Sequence, residues 1–154
     1  MTTITLESIK TEHNRLAEVI AAFEVQIKEK RLFSLPEAEI DLNDGEHYAG
    51  IIIGKDGASS HHLILLSGEA EEITWANAVE WAVKAGGELP TRREQALLYA
   101  NLKEQFKPNW YWSCEQHAAH SDYAWCQYFD NGYQINSYKS AALRARAVRR
   151  LIIL

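Results

Sequence analysis

The sequence predicts an α+β fold, in which a helical arm precedes a domain of two helices and small antiparallel sheets. Apolar residues recur at helical spacing near the N-terminus, and two later segments carry helix-capping signals. The aromatic-rich run of residues 110–139 has the pattern of consecutive strands. The 154 residues are 47% hydrophobic and 24% charged, which suits one ordinary hydrophobic core.

The first element is a helix predicted over residues 6–31, after the capping residue Thr5. Its a and d heptad positions are apolar except for one histidine, whose protonation would loosen the seam. These positions are Leu6, Ile9, His13, Leu16, Ile20, Phe23 and Ile27. So short a pattern leaves two interpretations open: a coiled coil that makes the protein a dimer or trimer, or a helix packed on its own domain.

The helix pattern stops near Pro36, so we divide the chain into an arm, residues 1–34, and a domain, residues 35–154. The domain opens with two apolar runs, residues 48–54 and 61–66, separated by a Lys-Asp-Gly-Ala turn. This pattern predicts a hairpin, and because both runs are apolar on both faces we expect it to be central or covered.

Two helices follow. The first has Thr74 as its cap and Gly86-Gly87 at its end, and its spacing predicts one buried apolar face with Trp81 outside it. That face comprises Trp75, Ala78, Val79, Ala82 and Val83. The second helix begins at a T-x-x-E capping box, Thr91 to Glu94, and ends before Pro108. We expect both helices to be structural.

The aromatic run predicts strands over residues 110–115, 124–130 and 133–138. Between the last two, Asn131-Gly132 predicts a two-residue type I′ turn, in which both central residues have positive φ. The expected pairs are Asp130 with Tyr133, Tyr128 with Ile135 and Cys126 with Ser137. One last strand is predicted over residues 144–154, whose apolar end requires burial.

Charge is unevenly distributed along the chain. Residues 1–89 carry 7 basic and 16 acidic residues, whereas residues 90–154 carry 9 and 5. The two halves can attract each other within one molecule or between subunits, so nucleic-acid binding is not expected. Four arginines near the C-terminus alternate with apolar residues, which favours a solvated or salt-bridged strand. They are Arg144, Arg146, Arg149 and Arg150.

Four segments between residues 73 and 150 carry recognisable motifs: ITWANAVEWAVKAGGELPTRREQALLYANL, WYWSC, YAWCQYFDNGYQINSYKS and RARAVRR. In this order they resemble the C-type-lectin-like fold, specifically the phage and bacterial Lcl C-terminal domain family. The resemblance implies that the first hairpin pairs with the C-terminal strand, that the two helices flank the sheet, and that residues 110–139 supply the sheet and loops used for binding.

Alternation along the predicted strand places Trp125, Gln127 and Phe129 on one face and Tyr128 on the other. We assign Trp125 and Phe129 to the core, since the resembled family favours an apolar residue where Gln127 stands. Trp110 and Trp112 are assigned to it as well, because the helices and the terminal strand need a core to pack on. Exposed tyrosines beside amides suit a protein or glycan ligand, whereas the alternative is that these tyrosines also belong to the core. The candidate partner-binding residues are Tyr128, Asn131, Tyr133, Gln134, Asn136 and Tyr138.

Metal, cofactor and enzyme interpretations find little support. Five conceivable zinc ligands, Cys114, His117, His120, Asp122 and Cys126, lie close together without a C-x-x-C pair, so we expect no metal. The two cysteines are expected as small buried thiols or, in an exported protein, as a cross-strand disulfide. The chain departs from the loop and strand motifs by which lectins of the resembled fold bind calcium and sugar. No catalytic triad order or phosphate-binding loop occurs, so we expect no enzyme and no cofactor.

Two hypotheses of function remain. In the first, a phage or prophage binding module oligomerises through its arm and presents the aromatic sheet to a host surface or another virion protein. In the second, an intracellular phage accessory protein binds and inhibits a host protein, such as a component of a defence system. Neither a signal peptide nor a membrane span is visible, so we expect the host cytoplasm or, for a tail-associated protein, the virion.

Overall fold

The computed structural model describes residues 3–29 and 33–154 of the chain. They form a mixed α+β fold with three α-helices and two β-sheets. The chain divides into two compact units, Met1–Ala38 and Glu39–Leu154. Among the helices of the described residues, none has both the length and the hydropathy that crossing a bilayer requires.

The first unit contains α1, Leu6–Glu29. Thr5 caps it, because the Ser8 backbone N–H donates to the Thr5 hydroxyl oxygen at 3.2 Å. The last two predicted residues, Lys30 and Arg31, lie outside the described residues. The apolar side chains of the heptad positions are between 49% and 69% exposed, so α1 presents an apolar seam along its length.

A three-stranded antiparallel sheet opens and closes the second unit. Its order is β1 (His47–Ile52), β2 (His61–Leu65) and β8 (Val148–Ile152). The predicted hairpin is therefore confirmed, and β2 is the central strand, with Leu63, Ile64 and Leu65 fully buried. The C-terminal strand pairs with this hairpin, as the family resemblance implied.

The second sheet has five strands in the order β3 (Ala70–Ile73), β7 (Leu143–Ala145), β4 (Trp110–Gln116), β5 (Tyr123–Tyr128) and β6 (Gln134–Tyr138). The prediction of one strand over residues 144–154 was wrong, because Arg146 and Ala147 carry the chain from β7 in this sheet to β8 in the other. The apolar C-terminal end was predicted to be buried, but Leu151, Ile152 and Leu154 are exposed. The reason is that β8 pairs with β2 only, and the chain continues past the first residue of β2.

Two helices pack on the five-stranded sheet. On one side, which we name the α2 side, α2 (Trp75–Lys84) packs against Trp112, Ala124 and Cys126. On the other, the α3 side, α3 (Arg92–Leu102) packs against Tyr111 and Phe129 and also against the three-stranded sheet. A 3₁₀ turn, Lys103–Gln105, follows α3.

The predicted ends of the helices are confirmed in part. Thr91 and Glu94 form the expected capping box, and Gly86 ends α2 with a φ of 95°. Thr74 occupies the cap position of α2, but its side chain makes no capping hydrogen bond.

The buried face predicted for α2 was partly wrong. Ala78 and Ala82 are buried, whereas Val79 and Val83 are exposed, and Trp81, predicted outside the face, packs against the core. The small alanines allow α2 to approach the sheet closely, and the large tryptophans fill the margins of that contact.

The predicted type I′ turn was wrong. Cys126 pairs with Ile135 and Gln127 with Gln134, a register shifted by two residues from the expected one. The loop has four residues, Phe129–Gly132, and only Gly132 among them has a positive φ, at 80°. Because the shift is even, the same side chains still share a face.

Candidate recognition surface on the five-stranded sheet

The six predicted binding residues lie in β6, in the loop that precedes it and at the last residue of β5, a region that we name the outer end of the five-stranded sheet. They lie on different sides of that sheet. Pairing places Tyr128 and Tyr133 on the α2 side, and Gln134, Asn136 and Tyr138 on the α3 side. Asn131 lies in the loop between the strands, where its side-chain oxygen accepts from the Tyr133 backbone N–H at 2.9 Å. The sequence therefore identified one surface where the structure has two.

The α2 side carries an aromatic cluster at the sheet's end. The Trp110 and Tyr128 rings stack with centroids 5.0 Å apart, and Tyr133 meets Trp110 edge-on at 6.4 Å. Tyr133 is 59% exposed, and neighbouring Ile135 is exposed as well. Trp110, which we assigned to the core, is only half-buried, so it contributes to this surface.

The α3 side carries a longer aromatic row. The Arg92 guanidinium lies 3.5 Å from the centre of the Trp125 ring, and His117 stacks on the same indole at 5.6 Å. Further along, the Tyr123 and Tyr138 rings lie 4.4 Å apart, with Tyr138 59% exposed. Trp125 was predicted to lie in the core; it is half-buried because the cationic start of α3 covers it instead of apolar side chains.

Gln134 joins this row to the interior. Its side-chain amide donates to the Arg92 carbonyl oxygen at 2.8 Å and to the Gln127 side-chain oxygen at 2.7 Å, and its own oxygen accepts from Arg92 Nε at 3.1 Å. Buried Gln127 in turn donates to the Gln95 carbonyl oxygen at 3.0 Å. Gln134 therefore holds Arg92 in place, and its amide is already occupied by these bonds.

A cavity of about 590 Å³ opens at the start of α3 and shares Arg92 and Gln134 with the aromatic row. The other ionisable side chains that line it are His61, Arg93, Glu94, Glu115 and Arg150. Most of them are paired: Glu115 accepts from the Arg92 backbone N–H at 2.6 Å, and His61 Nε2 lies 2.8 Å from Glu94. The cavity walls are thus fixed by hydrogen bonds that span several elements.

Glu94 is the buried centre of that network, at 1% exposure. It accepts from Arg150 Nε at 2.6 Å and from Arg150 Nη2 at 2.9 Å, and also from the Thr91 backbone N–H. Burial raises the pKa of Glu94, but the hydrogen bonds from Arg150 and Thr91 outweigh it, so its pKa lies below the usual range. Glu94 therefore stays ionised, and it ties β8 to α3.

The acidic front and basic back of the chain pair within the second unit. Arg149 binds Glu46, Arg144 binds Glu69 and Glu71, and Arg150 binds Glu88 as well as Glu94. Arg146 is buried and donates to the carbonyl oxygens of Leu66 and Gln105. Arg144, Arg149 and Arg150 are therefore salt-bridged, one of the two states that the alternation favoured, whereas the burial of Arg146 was not predicted.

Both cysteines are free thiols. Burial raises the pKa of Cys114 to about 11 and that of Cys126 to about 12, so both are protonated at neutral pH. Within the described ranges, no three His, Cys, Asp or Glu side chains converge as a metal site would require. Cys114 lines a second, apolar cavity of about 340 Å³ beside Val79 and Val83 of α2.

Sequence reasoning missed the residues that line the cavity at the start of α3, which we name the charged cavity. Glu94 was assigned only a capping role, α3 was considered structural, His61 was placed only in a strand of the first hairpin, and Arg92 was not singled out. One sequence signal did point to this site: Arg92 and Arg93 are adjacent in the first turn of a helix. Basic residues are unfavourable there because they oppose the helix dipole, so their presence indicates a role outside the helix itself.

No protein-family model matches the chain, and no curated protein matches its sequence. The class that the structure defines is a mixed α+β domain with two sheets and an aromatic surface on the five-stranded one.

Proposed function

We propose that the chain is a non-enzymatic binding protein of phage or prophage origin, which recognises a protein partner through the outer end of its five-stranded sheet. The observation that carries the proposal is the exposure of tyrosines on a regular hairpin: Tyr133 and Tyr138 are each 59% exposed, on opposite sides of β6. Tyrosine supplies a large contact area with only two rotatable angles, so little entropy is lost on binding.

The surroundings of these tyrosines support a protein ligand. Asn131, Gly132, Asn136 and Ser137 lie beside them, and this mixture of tyrosine with small and amide residues is typical of protein-binding surfaces. The aromatic cluster on the α2 side adds apolar area, and the Arg92 guanidinium adds a cation on the α3 side. Buried aromatic anchors with a nearby arginine are the usual centres of binding energy.

The second unit is proposed to be a C-type-lectin-like domain of the Lcl C-terminal kind. The motif order from residue 73 to residue 150 supports this assignment, together with the pairing of β8 with the first hairpin and the placement of helices on both sides of the five-stranded sheet. The phage origin rests on this resemblance. The arm is proposed to join copies through its apolar seam, which would raise the avidity of the recognition surface.

The test is capture of partners from a bacterial host lysate by the full-length protein. Tyr133→Ala and Tyr138→Ala are compared with Tyr48→Ala, an exposed tyrosine of β1 in the other sheet. We expect the first two variants to lose captured protein and the third to retain it. Undiminished capture by both would remove the sheet from the site, and binding to a glycan array lost in the same two variants would replace the protein partner with a glycan.

The identity of the captured protein distinguishes the two hypotheses. A cytosolic host protein, captured while phage particles are unchanged, would support an intracellular inhibitor. Capture of a virion protein or binding to whole cells would support a surface-recognition module.

A further inference from the structure

The outer edge of β6 offers unpaired backbone groups. The Tyr128 N–H donates to the Tyr133 carbonyl oxygen at 2.8 Å, so in the alternating pattern of an antiparallel ladder Ile135 and Ser137 bond to β5. Gln134 and Asn136 then point their N–H and C=O groups away from the sheet. Within residues 33–154, these groups have no hydrogen-bond partner.

The other sheet edges of the second unit are protected against strand addition. The ladder of β1 is irregular between Tyr48 and Gly50, and that of β3 is irregular around two glutamates. The outer edge of β8 is bridged by Glu88, which exchanges two backbone hydrogen bonds with Val148. Irregularities, charges and covering segments are the usual means by which proteins block their sheet edges.

The edge of β6 lacks all of these. Its sequence, QINSY, contains no charged residue and no proline, and its pairing with β5 is regular over all five residues. Such an edge is a template for another strand. Of the four sheet edges in the second unit, that of β6 is therefore the one open to strand addition.

The two sides of this edge differ in chemistry. On the α2 side, Ile135 and Tyr133 are exposed and apolar or aromatic. On the α3 side, Arg92 Nε donates a hydrogen bond to the Gln134 side-chain oxygen. The two Nη groups of Arg92 have no hydrogen-bond partner within residues 33–154. A strand lying beside β6 would therefore meet apolar groups with one set of alternate side chains and a guanidinium with the other.

We propose that β6 binds an extended segment of a partner protein, which adds to the five-stranded sheet as a sixth strand. The backbone groups of Gln134 and Asn136 hold the segment, and its sequence alternates apolar residues toward the α2 side with polar residues, including Asp or Glu, toward Arg92. The inference rests on the proposed function and specifies the partner's conformation and pattern.

A selection from a library of displayed random peptides tests the proposal, with the full-length protein as bait and peptides of about ten residues, longer than an average strand. We expect the enriched peptides to alternate apolar and polar positions, with Asp or Glu preferred over Lys or Arg. Asn136→Pro removes the outward N–H and leaves the ladder to β5 intact, because a proline is tolerated at such an edge position. It should weaken binding at least about tenfold, equivalent to about 1.4 kcal/mol.

Asn136→Ala is the matched comparison, because it removes the same side chain and retains the N–H; Asn136→Pro should bind at least about tenfold more weakly than Asn136→Ala. A selected peptide N-methylated at the alternate amides that face β6 should lose binding, whereas methylation of the other set should not, and this arm needs no variant of the protein. Equal binding by Asn136→Pro and Asn136→Ala, insensitivity to both methylation patterns, enrichment without alternation, or no enrichment would overturn the proposal.

Two further outcomes are separable. A lower mass of the full-length protein in solution on Asn136→Pro would show that a second copy occupies the edge, which also overturns the proposal. Loss of lysate capture in Tyr133→Ala with full capture by Asn136→Pro would reject strand addition and leave the proposed function intact.

Discussion

Arg150 donates two hydrogen bonds to the two carboxylate oxygens of Glu94, from Nε at 2.6 Å and from Nη2 at 2.9 Å. They join the C-terminal strand β8 to the first turn of α3. The bond spans 56 residues of sequence and lies where the charged cavity meets the core. The same carboxylate closes the capping box of α3. One buried side chain thus fixes both the start of the helix and the position of the C-terminal strand.

Arg150→Ala should therefore destabilise the second unit strongly. Removal of Arg150 leaves the buried Glu94 carboxylate with only the Thr91 N–H and His61 beside it, and loss of one partner of a buried ion pair costs about 3 to 5 kcal/mol. Urea unfolding followed by tryptophan fluorescence measures the loss. Lys107→Ala is the control, because its ion pair with Glu71 is more than half exposed at both ends and contributes much less. Equal losses in the two variants would contradict the central role of Glu94.

Stability should fall with acid in a way that Arg149 controls. The hydrogen bond from Arg149 lowers the pKa of Glu46 from 4.5 to about 2, although burial opposes it. A carboxylate with a depressed folded-state pKa contributes stability that is full above its unfolded value and is lost as the pH falls toward the folded one. The free energy of unfolding should thus decline between pH 4.5 and about 2.

The slope of this decline should be shallower in Arg149→Ala, since the variant no longer holds Glu46 ionised. Arg93→Ala provides the control, because Arg93 donates to a carbonyl oxygen, that of Ile53, which does not titrate. Urea midpoints measured across the acid range for the three proteins give the slopes. A slope in Arg149→Ala equal to that of the unchanged protein would remove Glu46 from the acid response.

The β5–β6 loop should be sensitive at Gly132. Its φ of 80° lies in the left-handed region, and a Cβ there would come within 2.9 Å of the Tyr99 ring. Gly132→Ala should cost about 1 to 2 kcal/mol from the backbone alone, plus the displacement of Tyr99. Gly68→Ala isolates the backbone cost, because Gly68 has a φ of 90° and open space around it. Thermal unfolding should rank Gly132→Ala below Gly68→Ala, and the reverse order would be inconsistent with the four-residue loop.

Local signals predicted much of this fold, and non-local ones did not. The capping box at Thr91, the first hairpin and the exposure of Tyr133 and Tyr138 follow from residue types at fixed spacing, whereas Tyr128, also expected to be exposed, is half-buried. The turn at Asn131-Gly132 was wrong because a glycine with positive φ also suits the end of a four-residue loop, so the dipeptide alone does not fix the register.

The charged cavity could not be derived in the same way. Arg150 and Glu94 are brought together only when β8 joins β2, and no periodicity in either segment marks the contact. Periodicity likewise could not tell which apolar residues of α2 face the sheet, because Val79 and Val83 fit the helical spacing as well as Ala78 and Ala82 do. The close approach of α2 to the sheet decides which of these residues are buried, because the small alanines allow that approach.

The arm should oligomerise through its seam rather than through apolar residues in general. Leu16 and Ile20 occupy d and a positions and are exposed, whereas Val25 is equally exposed but lies at position f, outside the seam. Leu16→Asp and Ile20→Asp place a carboxylate between apposed helices, so each should convert a dimer or trimer to a monomer. Val25→Asp places the same charge on the outer face and should leave the mass unchanged. Light scattering on the full-length proteins measures the mass, and a monomer in the unchanged protein, or dissociation by Val25→Asp as well, would rule out assembly through the heptad seam.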